Sequence, residues 1–443
     1  MNSKTHSAAH LETEVMSGAD SAWLRMEQDS NQMVITGMLK LQPAPDFETF
    51  KKLLQKRLLI YNRFTQRVVN RDTIPIWETV RQPDLSHHVK NVSIDEDPRF
   101  DTIQDYVSHV MSHPLDFTRP LWEMHLVTSN GSCTLVAKLH HCMADGIALV
   151  RILLSLATVS PNGEFFQPHL EYQPKKRKES FRKRGFLAKI GEDSARIFRA
   201  LYKFVMMPSD TPTGLKGGLQ QHKRAAWSES IPLQSVKDLA AMHRVTINDI
   251  MLWITCGALR RYLSEQEREL NNSATTGITM PVNLRTESDT SSVGNKFGLI
   301  FSKLPVGIED SEERLRIIQK DMNEIKASGE AIVAFGVLSL LGKMPLLVEQ
   351  NVIAFLSRKC TAVITNVPGP KRKLYLAGSE MEDIMFWVPK SGRLGLGISL
   401  ISYDDSVRIG VASDAVRMGN PAEFARMFSE EFEVERKKAL NPS

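Results

Sequence analysis

The stretch TLVAKLHHCMADGIALVRILLSL, residues 134–156, decides how this chain is read. It opens as an apolar alternating run of the kind that makes a strand. It closes on GIALVRILLSL, whose apolar residues fall on more than one helical face, as in a helix buried against a sheet. Between the two stand a pair of histidines, a cysteine and an Asp-Gly. If the strand runs through His140 and His141, their side chains leave opposite faces, and only one of them can face a cleft. Asp145 follows shortly after, with Gly146 where a tight strand-to-helix connection can need glycine's backbone freedom.

Three readings fit these residues. An imidazole can take a proton from a hydroxyl or thiol near neutral pH, because its unperturbed pKa is about 6.5, and can return it to a leaving group, so no serine nucleophile is required. A structural turn that happens to contain histidine fits as well. Metal binding is the third: His140, His141 and Asp145 are donors, but adjacent strand histidines aim poorly at one ion, and the spacing is neither HExxH nor a zinc Cys/His pattern. Cys142 has no independent catalytic partner and reads as a packing residue.

Upstream, RPLWEMHLVTSNGSCTLVAKLHH contains two strand-like pieces separated by the turn residues Ser129, Asn130 and Gly131. MVITGMLKL, residues 33–41, reads as a further strand, and DFETFKKLLQKRLLIYNRF and TIQDYVSHVMSH read as helices. Downstream the composition changes. Residues 161–218 combine prolines with little apolar periodicity, and Lys175, Lys176, Arg177, Lys178, Arg182, Lys183 and Arg184 place seven positive charges in ten positions. FLAKIGEDSARIFRALYKFVMM after them can form an amphipathic helix; contact with a membrane or acidic ligand and a solvated linker both remain open.

In the second half a helix is expected from Val245 or Thr246 to Leu263, with Thr246 or Asn248 as its cap. Strand candidates lie in GITMPVNLR, NKFGLIFSKLPV, CTAVITNVPG, EDIMFWVP, LGLGISLISY and DSVRIGVASDAV, with helical runs at 311–328 and 421–440. The repeated mixing of periods predicts an α/β or α+β chain. Its expected divisions are an N-terminal domain over 1–160, a basic crossover over 161–218 and a C-terminal domain over 219–443.

At 443 residues, with 42% apolar and 24% charged, the chain falls in the ordinary globular range. Its net charge of +5, from 56 basic and 51 acidic residues, is too small to point to nucleic acid. Cys133, Cys142, Cys256 and Cys360 form no CxxC, which gives neither a disulfide framework nor a thiolate zinc site and favours a reducing compartment. The N-terminus has no apolar targeting core. Gly, Lys, Pro and Glu interrupt the longest apolar run, AIVAFGVLSLLGKMPLLVEQNVIAFL, so no spanning helix is expected.

HHCMADG, residues 140–146, matches the HHxxxDG motif of the coenzyme A-dependent acyltransferase superfamily, and the chain resembles bacterial wax ester synthase/acyl-CoA:diacylglycerol acyltransferases over nearly its whole length. RPLWE at 119–123, IND at 247–249, MPVNLR at 280–285, GNKFG at 294–298 and TNVPGP at 365–370 follow in the family's order. The resemblance implies two chloramphenicol-acetyltransferase-like sandwich domains with an active-site tunnel at their interface. It implies His141 as general base, and Asp145 as loop organiser paired with an arginine, for which Arg285 is the candidate. His140 and Gly146 would support the loop, and Pro120, Leu121 and Trp122 would be scaffold. Asn248 would help an oxyanion or the thioester, with Asp249 shaping the site beside it, and Asn366, Pro368 and Gly369 would form a rigid loop near the coenzyme or acyl chain. Acyl-CoA would be the donor, with no tightly bound cofactor, and a long-chain fatty alcohol or diacylglycerol the acceptor. The basic run would meet coenzyme or bilayer phosphates, on a cytoplasmic protein peripheral to the inner membrane or lipid inclusions. An amine-acylating condensation enzyme and a catalytically silent lipid-binding protein are the alternatives.

Overall fold

The computed structural model describes residues 12–71, 73–168, 206, 209–266, 270–284, 295, 297–328, 330–390 and 392–441. Two large sheets carry the fold. The first has six strands in the spatial order β13 (Tyr375–Leu376), β14 (Ser379–Trp387), β2 (Val34–Gln42), β7 (Ser132–His140), β6 (Trp122–Ser129) and β5 (Val89–Ser93). All its pairs are antiparallel except β5 with β6. The second runs β11 (Phe297–Leu304), β10 (Thr276–Asn283), β12 (Ala362–Pro368), β15 (Leu396–Tyr403), β16 (Ser406–Asp414) and β8 (Lys223–Trp227), with β9 (Ile231–Pro232) on β16. Its inner pairs, β10 with β12 and β12 with β15, are parallel. A small sheet of β1 (Thr13–Val15), β4 (Ile76–Thr79) and β3 (Gln66–Val69) completes an α+β chain.

Helices α1 (Gly18–Arg25), α2 (Phe47–Arg57), α3 (Leu85–His88), α4 (Ile103–Ser112) and α5 (Gly146–Leu154) belong to the first half of the sequence. The second half supplies α6 (Leu233–His243), α7 (Ile247–Gln266), α8 (Ser311–Ser328), α9 (Glu330–Leu341), α10 (Leu346–Ser357) and α11 (Pro421–Leu440). Local chemistry sets many of these bounds. The β6–β7 hairpin turns on Asn130 and Gly131, at φ 48° and 75°, and two successive left-handed residues match the twist of the strands they join. Thr102 and Asp105 form a reciprocal capping box at the start of α4. The apolar run at 331–356 breaks into α9 and α10 at the turn between them, and no helix among the described residues is long and apolar enough to cross a membrane.

The sheets exchange a strand. β14 comes from the second half of the sequence yet pairs with β2 in the middle of the first sheet, from Glu380 opposite Gln42 to Trp387 opposite Thr36. The chain then crosses and enters the second sheet as β15. The two sheets touch closely there: a Cβ on Gly410 of β16 would lie 2.5 Å from Met385 Sδ. Trp387 Nε1 also donates to the Ala226 carbonyl of β8 at 3.2 Å.

Candidate active site

β7 ends at His140, and backbone bonds fix the junction that follows. The His140 N–H donates to Leu121 O at 3.0 Å, and the His141 N–H to Met33 O at 2.7 Å. The two rings then part. His140 is fully buried, and its Nδ1 accepts the Cys142 N–H at 3.1 Å. Its Nε2 lies 3.3 Å from Glu27 Oε2, a close contact without hydrogen-bond geometry. The same carboxylate oxygen accepts the Met33 N–H. His140 thus ties the turn to the segment that precedes β2.

His141 turns toward α1 and the second sheet. Its ring stacks on Trp23 with centroids 4.0 Å apart and planes 19° apart, and Phe297 at the start of β11 closes the other side at 5.5 Å. Its Nδ1 is buried without a hydrogen-bond partner. Burial among these rings lowers the imidazole pKa to about 4, against the opposing pull of Asp145's charge. The ring is therefore neutral at neutral pH. Asn295 Nδ2 holds the carbonyl of His141 at 2.9 Å and donates to Asp20 Oδ1 at 2.7 Å; the Asn295 backbone N–H reaches the same oxygen at 3.2 Å. Burial raises the Asp20 pKa, with Asn295's bonds acting the other way.

Asp145 is the N-cap of α5, its Oδ1 accepting the Ala148 N–H at 2.8 Å. That cap makes the turn. The expectation that Gly146 is needed for its backbone freedom does not hold: its φ is outside the left-handed region, and a Cβ there would meet only Ile35 Cδ1, at an ordinary 3.9 Å. Cys142 is fully buried, and desolvation drives its pKa well above the usual thiol value. A group so held is not a thiolate nucleophile. Among the described residues no group of three or more His, Cys, Asp or Glu is placed to hold a metal ion.

Pro120, Leu121 and Trp122 are buried. Leu121 supplies the carbonyl that holds His140. Trp122 stacks on His88 at 4.4 Å and donates to Phe64 O at 3.0 Å, a core position rather than a tunnel wall. In the second half, Thr246 and Asp249 bond reciprocally: the Asp249 N–H reaches Thr246 Oγ1 at 3.2 Å, and Asp249 Oδ2 accepts the Thr246 N–H at 3.0 Å. Asp249 is thus the capping-box partner that starts α7. The structure brings Asn248 and Asn366 together, with Asn366 Nδ2 donating to Asn248 Oδ1 at 3.5 Å. Pro368 closes β12, and Gly369 after it must be glycine, because a Cβ would lie 1.9 Å from Ser402 O. Arg285 and the run from Lys175 to Arg184 lie outside the described residues.

Sequence reasoning missed Trp23, Asp20 and Glu27 as site residues, and it quoted Asn295 and Phe297 only as part of GNKFG. The signal at Asn295 was an amide inside a marked motif. Trp23 offered only an aromatic on a short helix capped by Ser17.

The architecture is that of known acyl-transferring and condensing enzymes. It superimposes on the wax ester synthase/diacylglycerol acyltransferase from Marinobacter aquaeolei VT8 with a TM-score of 0.70 at 23% identity, covering 96% of this chain and 99% of that one. The trichothecene 15-O-acetyltransferase TRI3 from Fusarium sporotrichioides gives 0.64 at 12% identity over 98% of this chain and 96% of the other. The first condensation domain of the calcium-dependent antibiotic synthetase gives 0.63 at 12% identity over 97% of each.

In sequence, the wax ester synthase/diacylglycerol acyltransferase catalytic domain matches residues 16–251, and the C-terminal domain of the same family matches 293–434. The chain belongs to the wax ester synthase/diacylglycerol acyltransferase family, and its general activity is transfer of acyl groups from acyl-CoA to oxygen. A probable diacylglycerol O-acyltransferase of Mycobacterium tuberculosis H37Rv is 27% identical over 431 residues, covering 92% of each chain.

Proposed function

We propose that the protein esterifies a long-chain fatty alcohol or a diacylglycerol with the acyl group of acyl-CoA, using His141 as general base and forming no acyl-enzyme. The observation that carries this reading is the His141 ring itself: neutral, and pressed between Trp23 of α1 and Phe297 of β11, one ring from each half of the sequence. His141 takes the proton from the acceptor hydroxyl as its oxygen attacks the thioester carbonyl carbon. The tetrahedral adduct collapses with cleavage of the C–S bond, and the imidazolium returns the proton to the coenzyme A sulfur. One ester and one free coenzyme A leave, and the ring is neutral again. Apolar surroundings keep water from competing with the alcohol.

Glu27 and His140 hold the backbone before β2 against the turn, and Asp20 and Asn295 hold the His141 carbonyl; these residues position the base and do not touch the reacting atoms. Asp145 fixes the turn by capping α5 and biases His141 toward accepting a proton. Asn248 and Asn366 present paired amides at the second-half side, suited to the thioester oxygen. The two chloramphenicol-acetyltransferase-like halves would then bring donor and acceptor to His141 from different sides of a shared tunnel. The buried Cys142 thiol supports direct transfer over a thioester intermediate on the enzyme.

The test is coenzyme A release and ester formation by wild type and His141→Ala, with palmitoyl-CoA and either hexadecanol or dipalmitoylglycerol. Ester should match coenzyme A release, and the variant should lose at least roughly 100-fold while staying folded. Near-wild-type turnover in the variant would remove His141 from the role. Transfer to amines alone would favour the condensation reading.

A further inference from the structure

The crossover that carries the chain from β14 in the first sheet to β15 in the second holds a buried lysine with no acceptor. Lys390 is 3% exposed, and its Nζ has no hydrogen-bond partner among the described residues. The carboxylate whose charge reaches it, Asp414, is already committed. Its Oδ2 accepts from Lys223 Nζ and from the Gln220 N–H, both at 2.8 Å, and its Oδ1 takes the Val416 N–H at 3.1 Å. Lys223 gives its other protons to the carbonyls of Ser30 and Gln220, both at 2.6 Å. Burial, with the Lys223 charge added, lowers the Lys390 amine to about 7, against the pull of Asp414. An amine so placed is costly unless it meets an acceptor, and the protein supplies none.

Two hydroxyls share its situation. A Cβ on Gly397 would lie 3.4 Å from Lys390 Cγ and 3.6 Å from its Cδ, which sets the lysine stem over β15 on the side that Gly397 faces. Alternation puts Ser399 and Ile401 on that same side, while Leu396 and Ile398 point into the core of the second half. Ile401 packs with the core of the first half, so this side is turned to the first sheet. Ser399 Oγ is buried there without a partner. So is Thr279 Oγ1 of β10, whose neighbour Val363 stands opposite Gly397. One amine and two hydroxyls thus lie on the inner face of the second sheet with their hydrogen bonds unmade.

Strand register gives their distance from the candidate base. Phe297, which closes one side of His141, stands opposite Asn283, and Phe301 opposite Thr279. Four residues separate the two rows, about 13 Å of strand. Thr279, Val363 and Gly397 make up the far row, under Lys390, and Ser399 lies one step nearer the base. The lysine is also tied to the base through one short segment. Asn31 donates to the carbonyls of Lys390 and Gly392, two residues before the Met33 carbonyl that holds the His141 N–H.

Acyl-CoA has polar groups at matching intervals. Its pantetheine arm places two amides in succession between the thioester sulfur and the phosphates, and amide carbonyls accept from amines and hydroxyls. An acyl or alcohol tail laid on the same face would leave all three groups unpaired. We infer that Lys390, with Ser399 and Thr279, is the seat of the donor's pantetheine arm: the amide nearer the sulfur meets Ser399, and the farther one meets Lys390 and Thr279. The direction of the arm rests on the role proposed for His141; the seat itself does not.

The experiment compares two donors to hexadecanol, palmitoyl-CoA and palmitoyl-N-acetylcysteamine, which keeps the thioester and the nearer amide and ends there. Lys390→Met keeps the length of the stem and removes the amine. It should lower the preference for palmitoyl-CoA over the truncated donor about tenfold, through KM and not kcat, the pattern of a bond made equally in ground and transition states. Thr279→Val should act in the same direction by about threefold, and Ser399→Ala should weaken both donors alike. Calorimetric titration with coenzyme A reads the seat without turnover, and Lys390→Met should weaken that binding about tenfold. An unchanged donor preference in both Lys390→Met and Thr279→Val would overturn the inference. So would palmitate binding that Lys390→Met weakens while coenzyme A binding stays as in wild type, since the occupant would then be a carboxylate. If Lys390→Met fails to fold, Thr279→Val decides by the same two readouts. Absence of ester from wild type with either donor would instead count against the proposed function, with the coenzyme A titration still deciding the seat.

Discussion

His141 sits between two aromatic rings, and that packing decides how its charge responds to pH. With a folded-state pKa of about 4 and an unfolded value near 6.5, the unfolded chain binds the extra proton. The contribution of His141 to stability is therefore present above pH 6.5 and is lost as pH falls through the window down to about 4. Two outcomes follow. The acid limb of kcat/KM should lie near 4 and not near 6.5, and His141→Gln should flatten thermal stability against pH within that window; a limb at 6.5 would mean the ring is hydrated in the free enzyme. Asn295 is the other residue on which the site turns. Asn295→Ala removes the side-chain amide that donates to the buried Asp20 carboxyl and the His141 carbonyl, leaving Asp20 the backbone N–H of the same residue, at a cost of about 1–3 kcal/mol in stability. As a positioning residue it should lower kcat with KM little changed, and a proportional rise in KM alone would contradict that role. The histidine motif was legible because its chemistry is local, whereas Asp145 is expected from sequence only as a loop organiser paired with an arginine, and its cap on α5 is a finding of the structure. Asp20 and Asn295 were not legible, since they meet across 275 positions and neither residue type announces a partner.

At the scale of elements, caps and turns carried most of the readable signal. The helices expected at 311–328 and 421–440 appear with those bounds, and the Asn-Gly hairpin forms where its turn residues stand. What periodicity cannot show is which helices cross. α9 is apolar on all sides, so its pattern points nowhere, and its contact with α1 depends on two glycines far apart in the chain. Gly342→Ala places a methyl group against the Gly18 carbonyl and must push the helices apart. The expected loss is about 1–3 kcal/mol by chemical denaturation, with weakened transfer because Trp23 rides on α1. Glu349, on the α10 that follows, offers a separate reading. Burial raises its pKa to about 7, partly offset by Arg25. The folded chain therefore holds that proton more tightly, and stability falls as pH rises from about 4.5 to about 7. Glu349→Gln should consequently raise Tm more at pH 8 than at pH 5. An equal rise at both would show that the carboxyl is not desolvated.

For the whole molecule, the exchanged strand matters most. Sequence reasoning saw EDIMFWVP as a strand but had no means of placing it in the sheet built by the other half, since strand order depends on long-range pairing that an alternating pattern does not encode. Yet β14 covers the open edge of β2 and buries Met381, Met385, Phe386 and Trp387. At roughly 1.5–3 kcal/mol for each such side chain, their removal costs on the order of 10 kcal/mol, comparable with the whole stability of an ordinary domain. It also leaves β2 as a long exposed edge, a template for aggregation. Residues 1–218 expressed alone should therefore fail to give a cooperative unfolding transition and should collect in the insoluble fraction, even though they contain the histidine motif and most of the family's catalytic domain. Co-expression with residues 219–443 should return soluble, paired fragments, because the second piece brings β14 with it. A cooperative transition from 1–218 by itself would show that the first sheet closes without the borrowed strand. The two halves would then be separable folding units rather than parts of one interlocked molecule.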